Sequence, residues 1–69
     1  MNALIPLDKL QDAANAKGPE FAAEFNKRCL ADVTANWNDI QDGTAEDAVI
    51  RKNRILAEME AEAAAKKAA

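Results

Sequence analysis

The chain has 69 residues, a net charge of −3, one cysteine and no histidine. Half of its 49% hydrophobic content is alanine, which leaves seventeen larger apolar side chains, Met1 and Cys29 included, enough for one small core. An internal disulfide and the usual histidine- and cysteine-based zinc sets are excluded, so association with itself or with a partner is the expected source of added stability.

The lone cysteine suits a reducing compartment, no basic-then-apolar leader pattern opens the chain, and no uncharged stretch approaches the length of a bilayer span. A cytoplasmic protein without a membrane anchor is expected. Charge is unevenly placed. Residues 1–18 and 44–69 each balance, while the middle is acidic, with Glu20, Glu24, Asp32, Asp39 and Asp42 against Lys27 and Arg28. An acidic middle with no basic stripe argues against non-specific nucleic-acid binding.

The spacing predicts a first, short helix over residues 6–17. Pro6 suits its opening turn, Leu7, Leu10 and Ala14 share one side, and Gly18 can take the positive φ that ends it. Pro19 starts a second helix over 19–41, on which Phe21, Phe25, Cys29, Val33 and Trp37 recur at steps of four. Ala22, Leu30 and Ile40 widen that stripe to about half the cylinder. Asn26 and Asn36 are expected at its edges. The steady step of four favours a steep crossing over a long coiled coil. Gly43 is the second expected terminating glycine.

A third helix is expected over 45–66, capped by the Thr44 hydroxyl, with the Asp47 carboxylate reaching back to close a shortened capping box. Glu46 and Asp47 at its start and Lys66 and Lys67 near its end suit the helix dipole. Asp47 with Arg51, and Glu62 with Lys66, form favourable pairs four residues apart. Along this helix Ala45, Val49, Leu56, Met59 and Ala63 trace a heptad seam, with Lys52 filling one slot. Residues 65–69 are expected to fray. The short link between the second and third helices predicts an antiparallel hairpin of two longer helices, with the short N-terminal helix across its open side: an all-α single small domain over residues 1–69.

Chemistry is scarce. Cys29 lies in the apolar stripe with no histidine to activate it, and reads as a buried packing residue. Glu58, Glu60 and Glu62 alternate, so they face different ways and cannot share a ligand. No catalytic, metal or cofactor-binding motif is present. What remains is surface. Trp37, near the hairpin end, is a candidate anchor for a partner. Val49, Leu56 and Met59 are candidate partner contacts along the seam, with Ile50 offering a second surface. Arg51, Lys52 and Arg54 form the densest positive group, suited to an acidic partner. Lys52, in the seam, is expected either to snorkel out to water or, if the seam is an interface, to pair with an acid, Asp32 or Asp39 of the second helix or one on a partner.

The segment Lys9–Gly18, followed by Phe21-Ala22-Ala23-Glu24-Phe25 and Arg28, resembles the two-helix part of Arc-type ribbon–helix–helix repressors. The resemblance implies a dimeric DNA-binding regulator or antitoxin. Met1–Ile5 lacks the alternating polar pattern of that family's DNA-reading strand. The leading expectation is instead a non-enzymatic protein–protein interaction module that docks an apolar helical face on itself, as a homodimer or higher oligomer, or on a larger protein. Small acidic helical chains of this kind are typical of bacterial or phage accessory proteins, among them inhibitors of host machinery and small complex subunits.

Overall fold

The computed structural model describes residues 3–68. Four helices follow one another: α1 (Leu7–Asn15), α2 (Pro19–Ala35), α3 (Trp37–Asp42) and α4 (Ala48–Ala68). Among the described residues there is no strand, and the protein is all-α. Helices α1, α2 and α4 each touch the other two, while α3 packs only on α2. The α2–α4 pair is antiparallel: Arg28, midway along α2, reaches Glu62, late in α4, and Asp32, near the end of α2, reaches Arg51, early in α4. The expected hairpin with a short helix across it is present.

Pro6 stands just before α1 rather than inside it. Its carbonyl accepts the Lys9 and Leu10 N–H groups, so the missing proline N–H costs nothing there. Gly18 joins α1 to α2 with φ 110° and ψ 164°, positive as expected but extended. Its carbonyl starts α2 by accepting the Ala22 N–H at 3.0 Å. The small side chains of Ala14 and Ala22 flank this turn and are both buried, which lets α1 and α2 approach closely. Leu10, Phe25, Leu56 and Met59 complete the core, and Ile5, Ala13, Phe21, Cys29 and Ile55 pack around it.

The expected second helix is broken at Asn36. Its side-chain amide donates to the Asp32 carbonyl at 2.8 Å and to the Asp32 carboxylate at 3.2 Å. Asparagine offers the backbone such a local alternative to helix geometry, and Asn36 leaves the helix with φ −104° and ψ 12°. Those angles lie outside the α-helical range, but the Asn36 N–H still donates to the Asp32 carbonyl and the Asn36 carbonyl accepts from Ile40, so α3 follows α2 across a kink. Gly43 ends α3 in the left-handed conformation, φ 76° and ψ 17°, as its position predicts.

The Thr44 cap is a correction. The Thr44 hydroxyl turns back to the Asp39 carbonyl and carboxylate, each at 3.4 Å, while the Thr44 and Ala45 N–H groups also donate to that carbonyl. Thr44 thus closes α3. Helix α4 begins at Ala48, with the Asp47 carbonyl accepting from Ile50 and Arg51. The link is therefore Gly43–Asp47, longer than the two or three residues expected, and Ala45 falls outside the helix. At the other end α4 continues to Ala68, and the last residue of the expected fraying segment, Ala69, lies outside the described residues, as does Met1.

Candidate docking surface

The structure divides the expected contact residues into three groups. Leu56 and Met59 are buried in the intramolecular core, so this part of the seam faces α1 and α2. Arg51 joins them: it is 8% exposed, its Nε donates to Asp32 Oδ2 at 2.7 Å, and its Nη1 donates to the Glu46 carbonyl. The expected Asp47–Arg51 pair is thus replaced by a cross-helix pair that ties α4 to α2. Val49, Ile50 and Lys52 are half-buried at the start of α4. Trp37 and Arg54 are exposed, and Arg54 is held in a fork by Glu46 at 2.7 and 2.9 Å.

Lys52 finds neither candidate acid. Asp32 is occupied by Arg51, and Asp39 by Thr44. Among the described residues Lys52 makes no ion pair, and its ammonium acts instead on the Cys29 thiol. Burial pushes that thiol up from its ordinary value, with Lys52 pulling the other way and Asp32 adding to the rise. A half-buried thiol held in its neutral form is a packing group.

Two polar features escape sequence reasoning. Arg28 donates through Nη1 and Nη2 to both Glu62 oxygens at 2.9 and 2.8 Å, and through Nε to Glu24 at 2.8 Å. The hydrogen bonds from Arg28 hold the Glu24 and Glu62 carboxyls below their ordinary values. Glu62 therefore serves α2 rather than pairing with Lys66 as expected. An open cleft of about 330 Å³ lies beside this group, between Phe21 and Met59; Glu24, Arg28 and Glu62 on its rim are engaged with one another, and Glu20 and Lys66 complete its charged lining. The second feature is Asn53. Its amide accepts the Ile5 N–H and donates to the Ile5 carbonyl, both at 2.9 Å, and donates again to the Val49 carbonyl at 2.7 Å. One side chain thus satisfies both backbone groups of Ile5 and fastens the segment before α1 to α4. The described residues of that segment, 3–6, where the repressor resemblance places part of a DNA-reading strand, form no strand.

The apolar surface left uncovered lies elsewhere. Leu30 is 69% exposed and Trp37 52%, with half-buried Val33 between them, at steps of three and four along α2 and α3. Leu30 was expected within the packed stripe. Five residues from Phe25 at about 100° each place it about 140° round the helix, too far to reach the core. The Thr34 hydroxyl folds back onto the Leu30 carbonyl at 3.0 Å, leaving no hydroxyl demand on this face. Leu4 and Leu7, each 50% exposed, stand before the α1–α2 turn. Among the described residues four large apolar side chains are thus half exposed or more: Leu4, Leu7, Leu30 and Trp37.

Among the described residues no group of histidine, cysteine, aspartate or glutamate could hold a metal ion, and no helix is long and apolar enough to cross a membrane. Compared with protein families, curated proteins and solved structures, the chain matches none.

Proposed function

We propose that the chain is a non-enzymatic protein–protein interaction module that docks the Leu30–Val33–Trp37 face, a cytoplasmic accessory protein or small subunit of the bacterial or phage type, with inhibition of a larger target as one use of such docking. The observation that carries this reading is the exposure of Leu30 and Trp37 along α2 and α3, on a chain whose three arginines are all consumed by internal pairs. Exposed apolar side chains in succession along one helical face mark an interaction site, and tryptophan is among the residue types most enriched at interface centres. Nothing in the geometry favours the DNA-binding alternative, because Arg28, Arg51 and Arg54 are engaged by carboxylates of the same chain.

The test is retention from extract of the native cell. Immobilised wild-type chain and a Leu30→Asp/Trp37→Ala variant, both checked for helical circular dichroism, are compared by mass spectrometry, and both are sedimented in parallel. The docking reading expects either a protein held only by the wild-type chain or self-association that the variant lacks. Identical retention by both, with a monomer in the centrifuge, contradicts it.

A further inference from the structure

We propose that Asp32 is a positioning residue: its carboxylate latches α3, the short helix that carries Trp37, to the packing of α4 on α2. The two carboxylate oxygens are divided between two elements. Oδ2 accepts from Nε of Arg51 in α4 at 2.7 Å. Oδ1 accepts from the Asn36 amide at 3.2 Å, at the kink where α3 begins, and the Asp32 carbonyl accepts from the same amide at 2.8 Å. One residue thus fixes both the cross-helix ion pair and the angle at which α3 leaves α2. Arg51 also donates to the Glu46 carbonyl, in the link that follows α3, so the same guanidinium bears on both ends of that helix.

Little else holds α3. It has six residues, none of them buried, and it packs on α2 alone. A helix of that length is unstable by itself, so its place must be fixed by the rest of the chain. An open cleft of about 290 Å³ separates Ile40 of α3 from Ala48 and Arg51 of α4, which leaves the helix room to swing. Its two ends are hinge positions: Asn36, at φ −104° and ψ 12°, and Gly43, at φ 76°. Trp37 is the first residue of α3, whereas Leu30 and Val33 belong to α2. A swing of α3 therefore moves the tryptophan against the two aliphatic side chains, and Asp32 sets the spacing of the docking face. That use of the latch rests on the docking reading above; the latch itself does not.

Amide hydrogen exchange on the full chain is the test, followed at Ile40 and Gly43 for α3 and at Phe25 and Met59 for the core. In the wild-type chain the α3 amides should exchange through local opening, at least about a hundredfold faster than the core pair. Asp32→Asn keeps the shape of the side chain but replaces one acceptor oxygen by a donor nitrogen, so the link to Asn36 or the link to Arg51 is lost. It should speed the α3 amides at least about tenfold. Leu56→Ala weakens the core and touches no part of the latch. It should speed Phe25 and Met59 and leave the α3 amides nearly unchanged, because local opening does not pass through global unfolding. Wild-type α3 amides as protected as the core, an Asp32→Asn chain in which they do not move, or a Leu56→Ala chain in which they speed up as much as in Asp32→Asn overturns the proposal. If the exchange result holds and the chain retains nothing from extract and stays monomeric, the docking reading fails and the latch stands. If Leu30 and Trp37 retain a protein and the exchange result fails, the latch falls and docking survives.

Discussion

Arg51 is the residue on which the α2–α4 contact turns. Its guanidinium is taken from water and held by one carboxylate and one carbonyl, so removing the carboxylate strands a buried charge. Asp32→Ala should therefore destabilise the chain by about 2–4 kcal/mol, short of the largest values for buried pairs because Asp32 keeps 21% of its side chain exposed. Thermal melts check this, and an unchanged midpoint would show that water replaces the carboxylate freely. Cys29 sits one turn before Val33 and contributes packing, its thiol pushed up by burial. At neutral pH it should react with a thiol reagent more slowly than a free thiol does. Cys29→Ala should lower stability by about 1–2 kcal/mol with the docking face intact. Rapid modification of the folded chain would contradict the packing role.

At the scale of elements, the seam of α4 is internal where it is most apolar. Leu56→Ala should cost folding about 2–4 kcal/mol, a shift of about 10 °C or more in melting temperature for a chain of this size, and should leave docking affected only through stability. A Leu56→Ala protein that melts like wild type would place this leucine outside the core. The all-α class, both terminating glycines and the hairpin are legible from the sequence, because glycine, proline and the recurrence of Phe25, Leu56 and Met59 act locally. The break at Asn36 is not, since whether an asparagine caps, kinks or merely faces water depends on where its amide finds a carbonyl. Thr44 misleads for the same reason: its hydroxyl can serve the helix before it or the one after it. The engagement of Ile5 by Asn53 spans most of the chain and has no local signal at all. On the candidate surface, Trp37 is legible, whereas Leu30 hides in a four-step pattern that ignores its angle from Phe25. Leu56, Met59 and Arg51 are apolar or charged in the right rhythm for a partner, but only the three-dimensional packing reveals that they serve this chain's own core.

At the scale of the whole molecule, six buried apolar residues hold three helices together, helped by the cross-helix ion pairs. Glu24 and Glu62, drawn below the ordinary value of 4.5 by their hydrogen bonds to Arg28, make part of that help dependent on pH. A carboxylate with a depressed folded pKa stabilises the folded chain above its unfolded value, and the contribution is lost as pH falls through the folded one. The melting temperature at low salt should therefore hold from neutral pH to about pH 5 and decline below it, with Arg28→Met flattening the decline. A wild-type profile as flat as the variant's would remove Arg28 from the account. The central claim, that Leu30, Val33 and Trp37 form a docking surface for the chain itself or for a larger protein, has a built-in reporter, because Trp37 is the one tryptophan in the sequence. The decisive measurement is its fluorescence, with acrylamide quenching, across a dilution series of the wild-type chain and of Leu30→Asp, each alone and with any protein that the wild-type chain retains from extract. The account predicts a blue-shifted, poorly quenched Trp37 in the wild-type chain, at high concentration or with that protein, that becomes solvent-exposed on dilution, and an exposed Trp37 throughout in the variant. Identical, fully exposed emission from both chains in every sample contradicts it.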